Sequence, residues 1–186
     1  MQLTNDNKYD SERRKELRID EYNSVEHPFM EQLKNLGWTD RNNQVIELSL
    51  QQQPSDSFRK SFAEVVLRPK LYDAIRRINP FLTENQLEEV VNHITVWQPG
   101  TLLENNERIY KLITEGTSVN RNELTGEQSP IVRYVDFDHP ENNTFTAISQ
   151  FKVNIPGTEH HIIPDIVLFL NSSGRSQVFK SNGSIA

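Results

Sequence analysis

Between His161 and Asn171 the chain reads Ile162-Ile163-Pro164-Asp165-Ile166-Val167-Leu168-Phe169-Leu170, an apolar stretch that holds a single carboxylate. A run of this kind forms a core strand. An ionised Asp buried in it without a partner costs several kcal/mol, so Asp165 must sit at an open strand end, be paired, or hold a metal ion. Pro164 suits the first residue of a strand or an edge, because Pro cannot donate to the ladder. Two readings stand on these residues: a turn leading into a core strand, and a functional carboxylate.

A chain of 186 residues suits one domain with a real core, although 35% hydrophobic content and a mean hydropathy of -0.66 leave it polar. Cys is absent, which excludes disulfides, zinc-thiolate centres and Cys nucleophiles, and agrees with a reducing cytosol. Any metal would need oxygen or His ligands. No window approaches roughly 18 consecutive apolar residues, and residues 1–24 are charged throughout. The expectation is a soluble, cytoplasmic protein with neither membrane span nor signal peptide. A net charge of -6 argues against a broad basic surface that grips nucleic acid. It leaves room for an enzyme acting on DNA, since a nuclease site needs acidic metal ligands and phosphate contacts can be local. Local basic clusters stand at Arg13-Arg14-Lys15, Arg59-Lys60, Arg68-Pro69-Lys70 and Arg76-Arg77. Most such clusters are solvated helix faces.

Residues 1–24 are too polar to repay ordering and read as a flexible segment, with one domain over 25–171 and a separate tail over 172–186. Apolar residues at Phe29, Met30, Leu33 and Leu36, followed by Gly37, predict an amphipathic helix of about three turns. Glu26 falls in its first turn, where the helix dipole favours a carboxylate. Residues 44–50 read as a short strand. A helical block is expected over 56–78, from Phe58, Phe62, Val66, Leu67, Leu71, Ala74 and Ile78, with Pro69 kinking or splitting it. Thr83-Glu84-Asn85-Gln86 is a capping box, with Leu82 and Leu87 as a hydrophobic staple, and opens a third helix. A fourth is expected over 105–115, stopping at Gly116.

Beyond Gly116 the period becomes alternating. Strands are expected over 131–137 and 145–153, the second with Phe145, Ala147, Phe151 and Val153 on one face. With the 161–171 run they make an antiparallel meander flanked by the preceding helices, in an α/β or α+β fold. His160 and His161 are adjacent and point to opposite faces of a strand, a poor arrangement for one ion. No glycine-rich phosphate loop is present.

Several blocks, in this order, resemble the N-terminal endonuclease domain of the type I restriction enzyme R subunit. They are Val25-Glu26-His27-Pro28 with Leu36-Gly37-Trp38, Phe62-Ala63-Glu64-Val65-Val66-Leu67, Leu102-Leu103-Glu104-Asn105-Asn106, Asp136-Phe137-Asp138-His139-Pro140-Glu141-Asn142-Asn143, Gln150-Phe151-Lys152-Val153 and Pro164-Asp165-Ile166-Val167-Leu168-Phe169. The resemblance implies a restriction-endonuclease-like PD-(D/E)xK core with a mixed sheet. It implies Mg²⁺-dependent cleavage of DNA, after an adjoining ATP-driven helicase motor has moved the DNA, in a complex with modification and specificity subunits. ATP would serve only that motor. By the same resemblance Asp165 would be the first metal ligand, and Glu26 would face the same cluster and bind the metal directly or through water.

A Glu-x-Lys on the next strand normally completes such a site, the Glu as ligand and the Lys to stabilise developing charge. Residues 172–186 contain no Asp or Glu; Phe179 stands where the Glu belongs, and Lys180 lies one position before the expected Lys. Lys180 could take the catalytic role by a register shift, or be a surface charge. Three readings follow: a fragment of a metal-dependent endonuclease, inactive alone; a short non-catalytic protein that keeps the fold for DNA binding or subunit assembly; and a minimal nuclease that recruits Lys180. Loss of the next strand would also expose a sheet edge beside 161–171, open to pairing with another chain.

Overall fold

A computed structural model describes residues 25–39 and 44–171. The polar segment 1–24 and the tail 172–186, with Lys180, lie outside the described residues. Helix α1 (His27–Asn35) is followed by β1 (Ile46–Glu47), a 3-10 turn (Pro54–Ser57), and three helices, α2 (Arg68–Ile78), α3 (Glu84–Thr95) and α4 (Leu102–Glu115). Then come β2 (Thr117–Ser118), β3 (Ile131–Val132), a second 3-10 turn (Pro140–Asn142), β4 (Phe145–Ser149), β5 (Val153–Asn154), β6 (His161–Ile162) and β7 (Ile166–Leu170). Among the described residues no helix is long and apolar enough to cross a membrane.

The principal sheet has the order β1-β4-β7, with β1 parallel and β7 antiparallel to β4. The fold is therefore α+β with a mixed sheet, the class expected above. Its antiparallel part is one long hairpin: β4 and β7 pair from Phe145 opposite Leu170 to Ser149 opposite Ile166, and β5 and β6 extend it at Val153 opposite Ile162. The segment expected as a strand over 131–137 keeps only Ile131–Val132, and it pairs with β2 rather than β4. Asn79 explains the break: its side chain accepts from the Arg133 N–H (2.8 Å) and donates to the Arg133 carbonyl (2.8 Å), occupying the groups a ladder would use.

Clustering of the core reports which side chains share a face. Met30 and Leu33 of α1 pack on Ala147 and Ile166, with Trp38, Val45 and Leu168 around them. The opposite face carries Ile148, Val167 and Phe169, with Leu48, Leu67 and Phe151. A third cluster joins α2, α3 and α4 through Leu71, Ile75, Leu87, Val90, Val91 and Leu112 to Val119, Val132 and Tyr134. The buried Tyr134 hydroxyl donates to the Val90 carbonyl (2.9 Å), and burial pushes its phenol well above the usual range.

Local chemistry accounts for the helix ends. Thr83 and Gln86 form the expected capping box. Helix α4 begins three residues before the expected start at 105, because Thr101 and Glu104 form a second capping box; the Glu104 carboxylate accepts from the Thr101 N–H at 2.7 Å. The helix expected over 56–78 exists only from Arg68. Pro69 does not kink it but opens it, since the first turn needs no N–H from that residue. Residues 58–67 are irregular. Arginines of two basic clusters are engaged within the fold: Arg76 binds both Glu84 oxygens (2.7 Å each), Arg77 donates to Asn142 O (2.8 Å) and Thr144 Oγ1 (2.7 Å), and Arg68 reaches Thr95 and Asn92, while Arg13-Arg14-Lys15 lies outside the described residues.

The Thr101 N–H, then its hydroxyl, hold the Glu104 carboxyl below the usual carboxylate range. A depressed folded pKa gives stability that is present at neutral pH and lost as pH falls through the carboxylate range. Thr101→Ala is expected to cost about 1 kcal/mol in urea denaturation at neutral pH, and to shallow the acid limb of the stability curve. An unchanged urea midpoint would contradict this account of the α4 start.

Candidate active site

The register of the sheet gathers three strand ends at one place. Because β1 and β4 are parallel and β7 is antiparallel to them, Glu47, Ser149 and Ile166 lie side by side, with Asp165 immediately beyond. Glu26, just ahead of α1, arrives at the same end with helical backbone angles (φ -66°, ψ -55°) and is only 7% exposed. A carboxylate there gains from the helix dipole, but burial still requires donors.

Gln150 supplies them. Its amide Nε2 donates to both Glu26 carboxylate oxygens at 3.0 Å. Its backbone N–H donates to the Asp165 carbonyl at 2.8 Å, and its carbonyl accepts from the Gln52 amide at 2.6 Å. Gln52 is buried, and its side-chain oxygen accepts from the Lys152 N–H at 3.3 Å. Gln150 holds this position with φ of 54°, in the left-handed region. That angle corrects the alternation expected over 145–153. Phe151 does not share a face with Ala147; it packs with Ile148 on the other side of the sheet.

A cavity of about 520 Å³ opens beside this junction, lined by Glu26, Glu47, Leu48, Ser49, Leu50, Ser149 and Gln150. His27 Nδ1 lies 3.7 Å from Glu47 Oε1 at its exposed side. The Ser149 hydroxyl is buried and has no hydrogen-bond partner. Asp165 is half-buried at the entry to β7. The structure thus brings Glu26 and Asp165 to one end of the sheet and joins both to Gln150. Among the described residues no three His, Cys, Asp or Glu side chains cluster closely enough to hold a metal ion. The donors present are hard oxygens, which suit a Mg²⁺ that binds one or two carboxylates and keeps several waters. His161 lies apart, exposed on β6 opposite Asn154.

Gln150, Gln52, Glu47 and Ser149 were not legible as site residues. Glu47 carries the same signal as Asp165, a lone acid between apolar neighbours in Val45-Ile46-Glu47-Leu48, in a run too short to stand out.

The described residues thus form a mixed α+β sheet with Glu26, Glu47 and Asp165 at one end of it. The sequence profile of the type I restriction enzyme R protein N terminus matches residues 18–178, and the chain belongs to that family. It is 31% identical over 149 residues to the type I restriction enzyme HindI endonuclease subunit of Haemophilus influenzae, covering 80% of this chain and 14% of that protein. It is 25% identical over 163 residues to a Methanocaldococcus jannaschii protein assigned as the type I restriction enzyme MjaIXP endonuclease subunit, covering 87% of this chain and 15% of the relative. The chain therefore spans about a seventh of the length of these relatives.

Gln150→Leu is expected to remove two hydrogen bonds from the buried Glu26 carboxylate and to lower unfolding free energy by about 1–3 kcal/mol. Equal urea midpoints for variant and parent would show that other donors carry Glu26.

Proposed function

We propose that this chain is the DNA-cleaving module of a type I restriction R subunit, a Mg²⁺-dependent endonuclease within an ATP-driven complex. Membership of the family supports the class, and the observation that carries the reading is Gln150, bonded at once to the Glu26 carboxylate and the Asp165 backbone. Asp165 and Glu26 would hold the cation, which when bound activates water and neutralises charge on the scissile phosphate. Gln150 orients Glu26 and fixes the main chain that presents Asp165. The apolar clusters on both faces of the sheet keep this end rigid. Lys180 would stabilise the charge that develops at the phosphate. DNA, modification and specificity subunits, and a helicase motor in the same subunit are the partners this reading requires.

The 186-residue chain by itself is proposed to be inactive, because residues 172–186 supply no acid to complete the site. The same observation favours a second reading, a non-catalytic module that keeps the fold for DNA binding or assembly.

The test is plasmid cleavage by an R subunit that carries this chain at its N terminus, assembled with its partner subunits, Mg²⁺ and ATP. Asp165→Ala is expected to lower cleavage by about 100-fold or more, the scale of disrupted metal sites, with ATP hydrolysis retained. Full cleavage by Asp165→Ala would sink the catalytic reading, and a parent complex that never cuts would favour the second.

A further inference from the structure

We propose that Lys60 and Lys152 form a contact surface for the phosphate backbone of duplex DNA beside the candidate site. The inference rests on the proposed DNA-cleaving reading and names the surface on which that substrate would lie.

The chain has a net charge of -6, yet the stretch from Phe58 to Lys70 holds four cations and one acid. Two of these cations are taken up within the fold. Arg68 bonds to Thr95 and Asn92 and lies 3.6 Å from Glu88, while the buried Arg59 donates to the carbonyls of Glu64 and Lys152. The one acid, Glu64, accepts from the Lys60 N–H at 2.9 Å and offsets the charge of Arg59. Lys60 is exposed, and Lys152 is half-buried with its Nζ 5.0 Å from the centre of the Phe62 ring. Among the described residues no carboxylate forms an ion pair with either ammonium. Elsewhere the fold does pair its cations: Arg76 meets Glu84 at 2.7 Å and Lys111 meets Glu107 at 2.8 Å. An ammonium resting over a ring is oriented by it without being neutralised, so its charge stays available to an anion.

The two lysines are held as one unit. Arg59, next to Lys60, reaches the Lys152 carbonyl at 2.9 Å, and the Phe62 carbonyl accepts from the Asn154 N–H at 3.0 Å. The side-chain oxygen of Gln52 accepts from the Lys152 N–H, and its amide donates to the Gln150 carbonyl. Lys152 stands two positions beyond Gln150, the residue bonded to Glu26, a separation of at most about 7 Å along the backbone. Successive phosphates of one DNA strand advance by about 3.4 Å along the helix axis. Lys152 therefore meets the backbone about two nucleotides from a phosphate at the acid end of the sheet. Ammonium groups on phosphates fix the position of a duplex without reading its bases. Paired with a site for one phosphodiester, they fit a polyanion that runs past that site.

The measurement is fluorescence anisotropy of a short labelled duplex titrated with the intact 186-residue chain in EDTA, over a range of salt. Lys152→Gln and Lys60→Gln are each expected to weaken binding several-fold, to the same degree on unrelated sequences, and to reduce the slope of log Kd against log salt by about 1. Lys111→Gln, on α4, should bind like the parent, and all three variants should keep the parental Tm. Unchanged affinity and slope in both Lys60→Gln and Lys152→Gln would overturn the inference, as would a parent that does not bind the duplex at low salt. Displacement of the duplex by polyglutamate at equal charge concentration would also overturn it, assigning the surface to an acidic protein partner. The catalytic reading is judged separately, by cleavage in the assembled complex with Asp165→Ala, and stands or falls independently of these outcomes.

Discussion

At Gln150 the backbone enters the left-handed region with a side chain that ordinarily avoids it, a conformation that costs on the order of 1 kcal/mol or more. Its bonds to Asp165, Gln52 and Glu26 hold it there. Two results follow. The hairpin changes face, so that β4 serves α1 through Ala147 while Phe151 turns to the other side. The glutamine side chain, released from the alternation of the strand, reaches the acid ahead of α1. The order of the core and the geometry of the site are thus set by one residue.

The reversed Phe151 meets a buried cation. Arg59 is 3% exposed, and its guanidinium lies 3.7 Å from the centre of the Phe151 ring. It donates to Ser57 Oγ (2.7 Å) and to the carbonyls of Glu64 (3.0 Å) and Lys152 (2.9 Å). Burial lowers its pKa to about 10, with Glu64 opposing the shift. Residues 58–67 lack regular structure and are nevertheless fastened, through this side chain, to the strand that follows Gln150. The apolar spacing that suggests a helix there is met instead by Leu67 entering the sheet core and by Arg59 taking the bonds.

What could be read in advance follows the range of the interactions. The cap at Thr83, the stop after Leu36 and the core strand at 166–170 depend on neighbours a few residues away, and they lie where local rules put them. The start of α4 obeys the same rule and was hidden only because apolar periodicity starts later than the cap. The parallel pairing of β1 with β4 depends on residues about a hundred positions apart, and nothing in either strand encodes its partner. Asp165 and Glu26 were marked by their chemistry and by resemblance, whereas Gln150 became visible only through a backbone angle that no spacing reveals.

The bond between Gln150 and Glu26 spans 124 positions, and that between Gln52 and Gln150 spans 98. Helices α2 and α3 close over short separations and can condense early, but the sheet end must wait for distant segments to meet, against the entropy of closing long loops. During synthesis Glu26 leaves the ribosome long before the glutamine that will hold it. The acid end of the sheet is therefore held by contacts that close long loops, and ordering it carries a larger entropic cost than ordering the helices beside it.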